Sequence, residues 1–138
     1  MNLEAFLLCD AATDSHGKLN VLGAFDRILL AALPGVHGNC AVAIRLRFER
    51  MEAGPHVFEV HFVDQDGKDI IDPLSGNMQV RFGDGLSSAV INLILNLVRV
   101  RFEYAGEYQI DLRVDGETLG VLPVSVKQMA PGQTPPAG

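Results

Sequence analysis

The sequence predicts an all-β protein, an immunoglobulin-like sandwich of two antiparallel sheets with about seven or eight strands. Three observations predict it. Turn-forming residues punctuate the chain every ten or so positions, the spacing of short antiparallel strands rather than of βαβ units. The run Cys40 to Arg50 alternates cleanly, with Val42, Ile44, Leu46 and Phe48 on one face and Arg45, Arg47 and Glu49 on the other. A half-buried strand needs that period of two. Finally, Ala105 to Val126 reads as a closing hairpin: Gly106-Glu107-Tyr108, alternation at Ile110, Leu112 and Val114, an Asp115-Gly116 turn, then a second alternating run. Tyr108 is expected to bond its hydroxyl back to nearby backbone and pin a corner between sheets, a structural tyrosine corner.

The other elements follow in order. The first strand covers Leu3 to Asp10, and Thr13-Asp14-Ser15-His16-Gly17-Lys18 reads as a polar loop. A second run spans Leu19 to Leu30, followed by a loop holding Pro34, Gly35, Gly38 and Asn39. After Glu52-Ala53-Gly54-Pro55, the segment Val57 to Val63 turns Phe58, Val60 and Phe62 inward and Glu59 and His61 outward. Asp64-Gln65-Asp66-Gly67-Lys68 reverses the chain, a weaker strand covers Asn77 to Phe82, and Gly83-Asp84-Gly85 closes it. Ala89 to Glu103 breaks the pattern: Leu93, Leu95 and Leu97 share one face while Val98, Val100 and Phe102 occupy the other. A strand cannot exchange its buried face without a bulge, a bend or burial on both sides. The favoured reading is a long strand that bends or changes sheet near Leu97; a short helix over its first half is the competing one.

Composition fits a single domain over residues 1–127, with 128–138 a flexible, Pro- and Gly-containing tail. A chain of 138 residues is long enough to bury roughly 68% of the surface its unfolded form exposes. Apolar residues make up 48% of it, so a core can form without disulfides or metals. Eleven basic against seventeen acidic side chains leave a net charge of -6, which argues against non-specific binding to nucleic acid or anionic membrane. Cys9 and Cys40 both sit in apolar runs and read as buried free thiols of a reducing compartment. Met1-Asn2-Leu3-Glu4 has no positive start, and the apolar run Val90 to Val98 is broken by Asn92 and Asn96, so neither a leader nor a membrane span is expected. The expected location is the cytoplasm.

Phe6-Leu7-Leu8-Cys9-Asp10-Ala11-Ala12 and the Gly17-Lys18-Leu19 to Leu22-Gly23-Ala24-Phe25-Asp26-Arg27-Ile28 run resemble a family of short bacterial proteins classed only as a domain of unknown function. The likeness extends through Cys40 to Glu49, Asp64-x-Asp66-Gly67, Gly106-Glu107-Tyr108 and Asp115-Gly116, nearly the whole chain. The resemblance implies a compact β-sandwich and brings no activity, cofactor or catalytic residue with it.

No catalytic, cofactor or metal motif stands out. In Asp64-Gln65-Asp66-Gly67-Lys68-Asp69 the glycine falls too early for a calcium loop and no glutamate closes it, so the segment reads as a turn. His16, His37, His56 and His61 lack zinc spacing. Ser87-Ser88 lack a nucleophile elbow, and Gly83-x-Gly85 lacks the third glycine of a phosphate cradle. One constellation remains: Arg45 and Arg47 on one strand, Arg99 and Arg101 on another, and Arg113 on the outward face of the Tyr108 strand. If the Arg47 and Arg101 strands share a sheet, these five form a basic strip suited to an anion or a partner. A solvated face with pairs to Glu49, Glu103 and Asp111 explains the same residues. Outward Val121 and Pro123, with a partly covered face at Leu93, Leu95 and Leu97, fit a homodimer through an edge or a sheet face, and a core that wraps both faces of the Leu93 strand explains the same residues equally well.

The expected function is therefore a non-catalytic cytoplasmic protein-interaction module, self-associating or with a protein partner, that needs no cofactor. Two alternatives stand beside it: an anion or metabolite sensor using the arginine strip, and an enzyme using loop carboxylates such as Asp10, Asp14 and Asp26.

Overall fold

The structure, a computed structural model, describes residues 1–132. Its strands are β1 (Asn2–Ser15), β2 (Lys18–Ala24), β3 (Arg27–Leu30), β4 (Gly35–His37), β5 (Cys40–Glu49), β6 (Gly54–Val63), β7 (Leu74–Val80), β8 (Ser88–Leu97), β9 (Val100–Phe102), β10 (Gly106–Val114) and β11 (Glu117–Gln128). A 3-10 turn at Arg50–Glu52 is the one helical element among the described residues. The strands form a four-stranded sheet in the order β2-β1-β5-β8, a five-stranded sheet in the order β3-β11-β10-β6-β7, and a two-stranded ribbon of β4 and β9. The protein is all-β as the alternation predicts, but eleven strands among the described residues replace the expected seven or eight. One pairing, β3 with β11, is parallel and departs from the purely antiparallel expectation.

The extra strands come from runs that break and change partners. Leu19 to Leu30 splits at Phe25-Asp26: β2 stays with β1, while β3 crosses to the other sheet. The crossing is held by Phe25 N–H donating to the Leu8 carbonyl at 2.8 Å and Ser125 N–H to the Asp26 carbonyl at 2.9 Å. The segment read as a polar loop at Thr13–Lys18 is mostly strand. Only His16 and Gly17 turn the chain, both at positive φ (53° and 79°), the two-residue geometry that matches strand twist. Asp115 and Gly116 (53° and 84°) do the same for β10 and β11, as the sequence indicates.

The oddest segment behaves as the change of face requires. β8 pairs with β5 over its whole length, and β9 then pairs with β4 in the ribbon. Arg99, at φ 56°, performs the switch between them, so Leu97 and Val100 both reach the core while Val98 stands 66% exposed.

One contiguous core collects the inward rows of both large sheets. Val42, Ile44, Leu46 and Phe48 of β5 meet Val60 and Phe62 of β6, Tyr108, Ile110 and Leu112 of β10, and Val124 and Val126 of β11, all within one buried cluster. Phe62, Phe102 and Tyr108 pack edge-on, their centroids 5.1 to 6.4 Å apart. A second, smaller cluster of Cys9, Ala41 and Ala43 lies on the outer face of the four-stranded sheet. Cys9 faces Ala41 across the β1–β5 ladder, so Cys40, one residue earlier, points to the opposite face. The two free cysteines are thus buried on different sides of one sheet, and burial pushes the Cys40 thiol up to about 11.

β11 continues to Gln128, and Met129 N–H donates to the Leu30 carbonyl at 2.8 Å. β11 therefore runs one residue past 127. The tail expectation for residues 133–138 lies outside the described residues.

Candidate functional site

The fold divides the five candidate arginines among its sheets and the β8–β9 link. Arg45 and Arg47 project from the same face of β5 as neighbours with a period of two. Glu4 of β1 lies between them: Arg45 Nε donates to Glu4 Oε1 at 3.0 Å and Arg47 Nε to Glu4 Oε2 at 2.6 Å. The Arg47 and then the Arg45 hydrogen bonds hold the Glu4 carboxyl below its ordinary range. Arg101 lies on β9 in the ribbon, where it donates to Glu103 at 2.8 Å. Arg99 occupies the β8–β9 link, and Arg113 lies on β10 in the five-stranded sheet. The condition for one continuous strip, β5 and β9 in the same sheet, is not met. The carboxylates are equally dispersed in role. Asp14 accepts from Gly17 N–H and Asn92 Nδ2 at the tip of the β1–β2 hairpin, Asp10 lies beside Gly23, and Asp26 precedes β3.

Tyr108 bonds back to nearby backbone. Its hydroxyl donates to the Tyr104 carbonyl at 2.6 Å from a side chain 3% exposed. The structure adds a second link that the sequence did not disclose. The Tyr104 hydroxyl donates to Asp64 Oδ2 at 2.6 Å, while Asp64 Oδ1 accepts the backbone N–H groups of Asp66 and Lys68 at 2.9 and 3.0 Å. The Asp64–Lys68 segment is thus a turn closed by its first carboxylate and tied to Tyr104. The hydrogen bond from Tyr104 and those from the turn hold the Asp64 carboxyl below its ordinary range, and the same carboxylate pushes the Tyr104 phenol up to about 12. A cleft of about 400 Å³ opens beside them, lined by Lys68, Ile70, Arg101 and Tyr104 among others. Several of the polar groups at its wall are already engaged inside the chain, Asp64 with Tyr104, Asp69 with His61 and Arg101 with Glu103. Among the described residues no three side chains of His, Cys, Asp or Glu gather to hold a metal ion, and no helix is long and apolar enough to cross a membrane.

What the fold does leave open is a sheet edge. β8 is the outermost strand of its sheet, ten residues long, and carries no charged residue, proline or glycine. It pairs with β5 from Cys40↔Leu97 to Glu49↔Ser88 without a bulge. Natural sheets usually blunt such an edge with a lysine, a proline or a bulge, or keep it short. The other edges are shorter: β2 and β7 have seven residues and β3 has four. Along β8, Ala89, Ile91, Leu93 and Leu95 pack on the rim of the core but remain half-exposed, and Leu97 is buried. On the outer face Asn92 is clamped: Nδ2 donates to the Gly17 carbonyl and to Asp14 Oδ2, each at 3.1 Å, and Oδ1 accepts from Arg45 Nη1 at 3.1 Å. The hairpin tip thereby braces the middle of β8 from outside, and the strand's free backbone groups are presented on a fixed frame. A second apolar surface lies where β1 and β2 approach β11. A cleft there of about 360 Å³ is lined by Leu7, Ala24, Phe25, Leu122 and Pro123, with Val121 48% exposed on the same strand as Pro123.

The profile of a family of unknown function, DUF6941, matches residues 4–127. The chain belongs to DUF6941. The match spans every strand but the ends of β1 and β11, so the edge at β8 lies within the DUF6941 domain. No match is found among curated proteins. Among solved structures, the DUF6941 chain is similar to Pseudomonas fluorescens alkylpurine DNA glycosylase AlkC bound to DNA containing an abasic site analog, with a TM-score of 0.44 and 12% identity. The similarity covers 91% of this chain and 30% of that one, so the DUF6941 chain spans under a third of AlkC's length.

Proposed function

We propose that this DUF6941 chain is a non-catalytic protein-interaction module of the bacterial cytoplasm that docks an extended strand along β8. The observation that carries the reading is the edge itself: ten uncharged residues in unbroken register, with an apolar row half-open at the core rim. Strand addition draws affinity from the unpaired main-chain groups and selectivity from pockets for alternate side chains. The cytoplasmic placement is supported by two buried, unbridged cysteines. An immunoglobulin-like reading of the sandwich is supported by the Tyr108 corner at the start of the penultimate strand and by the closing β10–β11 hairpin.

The test is quantitative affinity capture with the tagged protein and an edge-guarded variant, Asn96→Lys. Asn96 is exposed on the outer face of β8, so lysine there blunts the edge without entering the core. The expected result is a stoichiometric chain that co-purifies with the native protein and is lost from the variant, at an unchanged melting temperature. Capture unaffected by the lysine overturns the reading.

A further inference from the structure

We propose that the occupant of the β8 edge is a second copy of this chain, paired antiparallel about Asn92; the inference rests on the strand-addition reading above. A two-fold interface must be self-complementary, since wherever residue i meets j, residue j also meets i. β8 has this property. Counting outward from Asn92, Ile91 answers Leu93, Val90 answers Ile94, Ala89 answers Leu95 and Ser88 answers Asn96. Each pair joins apolar to apolar or polar to polar. Members of a pair differ by an even number of positions, so they lie on the same face of the sheet, as facing residues of an antiparallel ladder must.

Both faces gain from that register. On the inner face, Ile91 meets Leu93 and Ala89 meets Leu95, and these are the residues that stand half-covered at the core rim. Pairing carries the apolar row of one copy into that of the next and removes it from water. On the outer face Val90 meets Ile94, while Asn92 lies on the axis with its amide held by Asp14, Gly17 and Arg45. Two four-stranded sheets become one continuous sheet.

Charge points the same way. Two copies of a chain with net charge -6 repel each other at long range. The seam with the least to lose is one that brings no charge from either side, and β8 brings none. The other long edges lack the symmetry. About its central Val21, β2 sets Asn20 against Leu22 and Lys18 against Ala24, and about Asn77, β7 sets Gly76 against Met78.

The test combines mass with register. Sedimentation equilibrium of the native protein from low to high micromolar concentration is expected to give a dimer mass, with the dissociation constant raised about tenfold or more by Asn96→Lys. Register is read by mixing Ser88→Cys and Asn96→Cys proteins under mild oxidation. The mixture should form a disulfide dimer and each variant alone should not, because identical positions at 88 or 96 are about 26 Å apart in this pairing. The native Cys9 and Cys40 are buried and do not compete. A dimer without the mixed disulfide overturns the proposal, because the contact is then elsewhere. A monomer whose captured partner is lost in Asn96→Lys overturns the second copy and leaves the edge reading standing. A monomer whose capture ignores the lysine overturns both.

Discussion

The Tyr108 hydroxyl donates to the carbonyl of Tyr104 at 2.6 Å, and the Tyr104 hydroxyl in turn donates to Asp64. Two tyrosines four residues apart, their rings stacked at 6.0 Å, thus join the start of β10 to the turn after β6. The two links differ in burial, and so in what they contribute. Tyr108 is buried; Tyr104 is 40% exposed. Removing the buried hydroxyl leaves a carbonyl short of a donor, whereas removing the exposed one leaves Asp64 with two backbone donors. Tyr108→Phe should destabilise the fold by about 1–3 kcal/mol, and Tyr104→Phe by under about 1 kcal/mol, as read from urea unfolding midpoints.

The change of face at Arg99 gives a prediction about neighbours in sequence. Leu97 is 4% exposed and Val98 is 66% exposed. Leu97→Ala should cost about 2–5 kcal/mol, and Val98→Ala should stay within about 0.5 kcal/mol. Equal costs would mean that β8 does not end at this switch.

Stability should peak on the mildly acidic side. His56 is held between acceptors at both ring nitrogens, the Glu52 carbonyl and Asp115 Oδ2, each at 2.6 Å. His61 lies likewise between Glu59 at 3.1 Å and Asp69 at 3.0 Å. Both environments favour the imidazolium and raise the histidine above 6.5. Their contribution is complete below that ordinary value and is lost as pH rises through the raised one. Glu4, Glu52, Asp64 and Asp115 are shifted the other way, so their contribution is complete above the ordinary carboxylate range and is lost as pH falls through the lowered values. Melting temperature measured against pH should therefore be highest from about 5 to about 6.5. A His56→Gln, His61→Gln protein should lose the alkaline decline and keep the acid one.

Inorganic phosphate should leave the melting temperature unchanged. Glu4 already occupies the guanidinium forks of Arg45 and Arg47, and Arg101 has Glu103. A ligand that bound the folded chain would raise the melting temperature by mass action. A rise with phosphate that disappears in Arg45→Ala would restore the sensor reading.

How legible each part was in the sequence depended on how local its cause is. The β10–β11 hairpin, its Asp115-Gly116 turn and the Tyr108 hydrogen bond to nearby backbone were legible because alternation, turn chemistry and a four-residue hydrogen bond are all local. The inward row of β5 and the break near Leu97 were legible for the same reason. The number of strands was not, because β3 leaves β2's sheet only to pair with distant β11, and β4 is three residues that pair with distant β9. The arginines show the limit most clearly. Their spacing on β5 was readable, but Glu4 is more than forty residues away in sequence and reaches them only because β1 pairs with β5. The edge was half legible: the lack of charge from Ser88 to Leu97 is plain in the sequence, while its place at the border of a sheet is a matter of topology.

The most direct test of the central claim, that β8 is an open docking edge, is residue-resolved amide exchange along Ser88–Leu97 at low micromolar concentration. The account predicts alternation, with amides bonded to β5 protected and those between them exchanging freely, the latter becoming protected as concentration rises. Uniform protection of the strand at every dilution, as expected for central β5, would contradict it.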